Sequence, residues 1–154
     1  MEELIIKKPQ KVDVVCSKKK LLMYNDDKEL LLYKKGYKIG IPGTHLDDDE
    51  SLEQAVYRLT GIQINSNSLV ELIRVKEYIK ENYPINGKLR FLNKEIIREY
   101  YSCYLDDSRI YPYEINELGE FVKIPLEKLI QHPIYYRYLP AYEELNKRLT
   151  YQKY

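Results

Sequence analysis

The chain has no tryptophan and only two phenylalanines, and its two cysteines, Cys16 and Cys103, each stand alone inside an apolar stretch. Neither cysteine has a CxxC partner or a nearby histidine pair, so neither a thiolate metal site nor a dithiol redox motif is indicated. Both read as buried thiols that pack as small hydrophobes. No run approaches the roughly 18 apolar residues that span a bilayer. Met1–Val12 is charged throughout and does not resemble a signal peptide. Charge of one sign is also lacking: the net charge is +1, which exerts no general pull toward nucleic acid or membrane. There is no internal repeat and no long linker. The expectation is a cytoplasmic protein in a reducing compartment, with no membrane partner.

What is present suits a folded domain. With 154 residues, 44% apolar and 32% charged, the chain has room for one core, so residues 1–154 are expected to form a single domain. Tyrosine is abundant, at 17 residues. With the many Lys, Ile and Asn it reads chiefly as compositional bias, although a few tyrosines could stack on a base.

Hydrophobic patterning predicts strands at Val12–Cys16, Leu21–Tyr24, Glu29–Tyr33, Leu69–Tyr78, Glu95–Leu105 and Leu118–Ile124. Lys18–Lys20 reads as a solvated turn between the first two. Asn82–Lys88, with Pro84 and Asn86-Gly87, reads as a loop. Helices are predicted at Ser51–Leu59, with Leu52, Ala55, Val56 and Leu59 on one face, at Leu126–Gln131 behind Pro125, and at Tyr138–Leu149. Strands outnumber helices and do not alternate with them, which favours α+β with a mixed sheet.

The informative stretch is Gly36–Ile62. Ile41-Pro42-Gly43 makes a rigid turn. Asp47, Asp48, Asp49 and Glu50 follow consecutively, and Glu53 lies one helical turn on, able to share their face. Such a density of carboxylates suits a hard cation such as Mg²⁺ or Mn²⁺. It equally suits the positive end of a helix dipole.

This stretch resembles the Nudix box, a Pro-Gly-Gly turn, an acidic stretch and a helix bearing Arg-Glu and paired Glu before Gly-aliphatic. Pro42-Gly43-Thr44-His45-Leu46 is similar to the turn, with Thr44 in place of the second glycine. Asp47 stands for the first acid, Arg58 for the arginine and Thr60-Gly61-Ile62 for the end. The resemblance extends over roughly residues 10 to 149. Leu30–Lys35 is similar to the strand before the box, and Gly119–Leu129 to the closing segment. One departure is plain: only Leu59 separates Arg58 from Thr60. The family pattern has about four more residues there, one helical turn, and that turn carries its metal-binding glutamates.

The resemblance implies a Nudix-like α/β/α sandwich with a mixed β-sheet. It also implies a ligand containing a nucleoside diphosphate, free or at an RNA end. Glu50 and Glu53 are the candidate catalytic carboxylates. Asp47, Asp49, Glu50 and Glu53 are the candidate metal ligands for Mg²⁺ or Mn²⁺, with Glu99 and Glu120 as further contributors. Gly43, Thr44, His45 and Arg58 are the candidate ligand-binding residues. Three readings stay open: binding without catalysis, pyrophosphate hydrolysis using the Asp47–Glu53 acids, and a structural subunit. A homodimer or a protein partner is compatible with each.

Overall fold

The computed structural model describes residues 2–6, 9, 11–41, 43–44, 50–109 and 120–151. Within them the strands are β1 (Glu2–Ile6), β2 (Val14–Tyr24), β3 (Glu29–Lys35), β4 (Lys38–Gly40), β5 (Gly43–Thr44), β6 (Leu69–Ile85), β7 (Lys88–Tyr104) and β8 (Glu120–Pro125). The helices are α1 (Leu52–Thr60), α2 (Leu126–Gln131) and α3 (Leu139–Tyr151). The sheet runs β1-β6-β7-β2-β3-β4, with β5 added to β2 and β8 added to β3. It is mixed: β1 runs parallel to β6 and β2 parallel to β7, while β6–β7, β3–β4 and β3–β8 are antiparallel.

Strand alternation sorts the apolar side chains onto two faces. Leu21, Met23, Leu31 and Cys103 meet Leu52, Ala55, Val56 and Leu59 of α1 on one face. Leu22, Leu30, Leu32 and Tyr100 meet Leu126, Leu129, Tyr142 and Leu145 of α2 and α3 on the other. Each such leucine contributes about 2 kcal/mol on burial, and the result is an α/β/α sandwich. Among the described residues, no helix is long and apolar enough to cross a membrane.

Three elements differ from expectation. Lys18–Lys20 is not a turn: β2 runs unbroken from Val14 to Tyr24, and its parallel ladder with β7 pairs every residue across that span. A lysine triplet interrupts the hydrophobic pattern but not the backbone ladder, which needs only N–H and C=O groups. Asn82–Lys88 is a loop only at its centre. The β6–β7 hairpin closes on Asn86-Gly87, with φ of 52° and 73°, the left-handed pair that a two-residue turn requires. Finally, the charged N-terminus supplies β1, which the sequence pattern did not announce. The expected strand ending at Ile124 starts, among the described residues, at Glu120 and ends at Pro125; Leu118 and Gly119 lie outside them.

Candidate functional site

Helix α1 has well-defined ends. The Ser51 Oγ accepts from the Gln54 backbone N–H at 3.1 Å, and Gln54 Oε1 accepts from the Ser51 N–H at 2.8 Å, a capping box. Gly61, at φ 74°, closes the other end, a conformation that glycine adopts without penalty. Thr60 is buried; its hydroxyl donates to the Val56 carbonyl and accepts from the Ile62 N–H. The helix is therefore nine residues long, and its last turn faces the core through Leu59 and Thr60 rather than presenting acids.

Two predicted site residues are joined to each other. Arg58 grips Glu50 through both oxygens, Nε–H to Oε2 at 2.9 Å and Nη2–H to Oε1 at 2.8 Å. The Arg58 guanidinium holds the Glu50 carboxyl below the ordinary glutamate value of 4.5, against the opposing effect of burial. This clasp ties the chain entering α1 to the helix's last turn. Because Glu50 is depressed, its contribution to stability is fully present above pH 4.5 and is lost as pH falls through the lowered value. Glu50→Gln is accordingly expected to lower stability at neutral pH by about 1 kcal/mol and to flatten the acid limb. Urea titrations at several pH values check this, and identical pH profiles for the two proteins would count against the clasp.

Glu53 lines two shallow grooves beside α1. One, of about 340 Å³, brings it near Lys19, Glu71 and Tyr101. The Tyr101 hydroxyl donates to Glu99 at 3.1 Å; burial, then Glu99, pushes its pKa up to about 12. Among the described residues no three of His, Cys, Asp and Glu converge as a metal site. Glu50 is taken by Arg58, and Glu99 is shared between Tyr101 and Arg74 at 3.6 Å. The described donors therefore do not fit the carboxylate set that Mg²⁺ demands. His45, Asp47 and Asp49 lie outside the described residues. Gly43 and Thr44 are strand residues, paired with Lys20 and Lys19.

That pairing sets Gly43 and Thr44 against β2 beside a second site. Lys19 and Lys20 are sequence neighbours in a strand, so they point to opposite faces. Lys19 faces the α1 side, and Lys20 enters a cavity of about 420 Å³ on the other. Lys38, Ile39, Gly40 and Ile41 form one wall, and Tyr135, Arg137 and Tyr138 the other. Arg137 lies 5.7 Å from the centre of the Tyr135 ring, a cation–π distance. Tyr138 packs edge-on against Tyr135, Tyr100 and Tyr142.

The electrostatics of this cleft are one-sided. Burial holds the Lys20 ammonium below its ordinary 10.5, and Lys18, Arg98 and Arg137 push it further down. Arg98, buried, has its own counter-charge in Glu77, with Nη1 2.6 Å from Oε2. Beneath lies Tyr100, fully buried, whose hydroxyl has no hydrogen-bond partner among the described residues. Half-buried Lys18 and Lys20, with exposed Arg137 beside them and an unsatisfied hydroxyl beneath, form a place that suits an anion.

Sequence reasoning did not find this cleft. Lys20 falls in an expected turn and Tyr138 opens an expected helix, while Tyr135 and Arg137 carry no pattern that assigns them. The available signal was the lysine triplet flanked on both sides by strand-forming apolar residues.

The α/β/α sandwich and its mixed sheet define a protein of Nudix fold. Solved structures bear out the fold. A C. elegans Ap4A hydrolase binary complex superposes with a TM-score of 0.53 at 15% identity, covering 88% of this chain and 98% of that one. A MutT protein from Methanosarcina mazei Go1 gives 0.53 at 19% identity, covering 89% and 96%. A MutT NUDIX hydrolase from Burkholderia pseudomallei gives 0.53 at 16% identity, covering 86% and 98%. No protein-family model and no curated protein matches the sequence.

Proposed function

We propose that this protein binds a ligand containing a nucleoside diphosphate in the Lys20–Arg137 cleft, and that pyrophosphate hydrolysis is not its principal task. One observation carries the reading. The cleft beside β4 concentrates Lys20, Lys38 and Arg137 with Tyr135 and Tyr138, cations for phosphates and rings for a base. The likeness to an Ap4A hydrolase and to MutT proteins supports a nucleotide-type ligand. Against efficient hydrolysis stand the nine-residue α1, with its buried last turn, and the engagement of Glu50 by Arg58. A metal-assisted attack on phosphorus needs several carboxylates in fixed geometry.

Thermal-shift measurements test this with ADP, ADP-ribose, diadenosine tetraphosphate and capped RNA, each with and without Mg²⁺ or Mn²⁺. A ligand at about 100 times its Kd should stabilise the fold by about 2.7 kcal/mol, and should do so without added metal. Product release, followed by chromatography, should stay near background. Rapid metal-dependent turnover that Glu53→Gln cuts by about 10²-fold would establish the hydrolase reading instead, with Asp47, Asp49 and Glu53 as ligands. No response to any nucleotide would leave the structural-subunit reading.

A further inference from the structure

Beneath the Lys20–Arg137 cleft lies a polar atom that the fold leaves unused. Tyr100 is fully buried, and its hydroxyl has no hydrogen-bond partner among the described residues. Taking a hydroxyl out of water without a partner is costly, and buried tyrosines normally find one. Phenylalanine would fill the same space without that cost. Packing alone therefore gives the hydroxyl no purpose.

Its surroundings indicate what it would serve. Tyr100 pairs with Lys20 in the β2–β7 ladder, so the two side chains leave the sheet on the same face. The Tyr138 ring, part of the cleft wall, stands edge-on against Tyr100 with 6.3 Å between centres. Burial pushes the Tyr100 hydroxyl well above the ordinary tyrosine value of 10, while Arg98 and Arg137 pull it the other way. It is thus a neutral donor at working pH, and a donor among cations suits a negatively charged acceptor.

The cleft is graded in depth. Lys38, Tyr135 and Arg137 are exposed, whereas Lys20 is half-buried. The mouth offers rings and cations for a nucleoside and its nearer phosphate. The deep end offers Lys20 and, behind the Tyr138 ring, the Tyr100 hydroxyl. We propose that this deep end is a subsite for a terminal phosphate, to which Tyr100 donates once the Tyr138 ring turns aside. The cleft then selects nucleotides ending in a free phosphate over those whose distal phosphate carries a further group. That selection rests on nucleotide binding in the cleft, whereas the phosphate subsite stands without it. A terminal phosphate presents three acceptor oxygens and roughly two negative charges, enough for Lys20, a second cation and the hydroxyl together. An esterified distal phosphate carries less charge and has fewer free oxygens. Its further group would also need the space where Tyr138 packs edge-on against Tyr100 and Tyr142.

Titration calorimetry in EDTA, on the full chain, compares ADP, ADP-ribose and pyrophosphate for the wild type and Tyr100→Phe. The two nucleotides share the nucleoside diphosphate and differ in whether the distal phosphate is free. The wild type should bind ADP at least about tenfold more tightly than ADP-ribose. Tyr100→Phe should lose about tenfold in affinity for ADP and for pyrophosphate and leave ADP-ribose unchanged. It should melt no lower than the wild type, because the hydroxyl it removes has no partner to lose. A clearly lower melt would assign the hydroxyl to the fold and overturn the proposal. Equal affinities for ADP and ADP-ribose would overturn the selection and leave nucleotide binding standing. Pyrophosphate bound through Tyr100 with neither nucleotide bound would keep the subsite and remove the nucleotide reading. Pyrophosphate that binds both proteins alike, or no binding of any of the three, would sink the subsite.

Discussion

Replacing Lys20 with methionine is expected to stabilise the ligand-free protein while abolishing most of its response to nucleotides. Lys20 is held below its ordinary pKa of 10.5 by burial and by Lys18, Arg98 and Arg137. The folded state therefore binds this proton more weakly than the unfolded state does. Stability rises with pH wherever the unfolded chain binds more protons. So the Lys20 ammonium costs stability at neutral pH, and the cost disappears as pH climbs from the lowered value toward 10.5. Methionine has similar length and no charge, so the variant should melt higher at neutral pH and lose that alkaline rise.

Its affinity should fall in the other direction. A hydrogen bond to a charged group contributes about 1.5–3 kcal/mol, so losing the Lys20–phosphate contact should weaken binding about 10- to 100-fold. Titration calorimetry with ADP and melts across the alkaline range measure both effects. A variant that binds ADP as the wild type does would place the ligand elsewhere. One that melts lower would mean Lys20 holds the fold together rather than serving an anion.

Glu77→Ala carries the second large effect, on stability. Its partner Arg98 is only 4% exposed, and their 2.6 Å contact is the counter-charge for a buried guanidinium beside Lys18 and Lys20. Removing one partner of a buried pair costs about 3–5 kcal/mol, because the other charge stays desolvated. The Glu77 side chain is 32% exposed, so solvent screening brings the expected loss to about 2–3 kcal/mol. Arg98→Met combined with Glu77→Ala should recover much of this, since neither residue then leaves a charge stranded. Urea unfolding of the two single variants and the double variant completes the cycle. A Glu77→Ala loss below about 0.5 kcal/mol would show that water, not Glu77, solvates Arg98.

The two variants separate two properties of one cluster. Among the described residues no acid is a counter-charge to the Lys20 cation, which is expected to answer to ligand. Arg98 is the compensated one and answers to stability. Both follow from side chains projecting from adjacent strands, Lys18 beside Arg98 and Lys20 beside Tyr100 in the β2–β7 ladder.

Local pattern was enough for much of the architecture. The i, i+3, i+4, i+7 spacing of Leu52, Ala55, Val56 and Leu59 placed α1, and Gly61 stopped it, because a 3.6-residue period and a left-handed glycine are local properties. Pro125 before Leu126 marked the start of α2. The α+β class with a mixed sheet followed from the order of these elements, and the sandwich from the family resemblance. The turn at Asn86-Gly87 was legible too, but the length of the arm it closes was not. Lys80, Asn82 and Pro84 break a hydrophobic alternation without breaking a ladder whose bonds come from the backbone.

The cleft lay beyond local reading for a related reason. Lys20 and Arg137 are far apart in sequence, and their meeting depends on β2 lying beside β7 while the chain after α2 folds back over that face. Sequence by itself determined roughly where the helices start and stop and which residues are apolar enough for two core faces. Tertiary structure alone decided that Glu50 would be spent on Arg58, that adjacent lysines would serve opposite faces, and that mutually repelling cations would share one cavity. Periodicity is written into neighbouring residues, whereas electrostatic fields and burial arise only once distant strands are brought within a few ångströms.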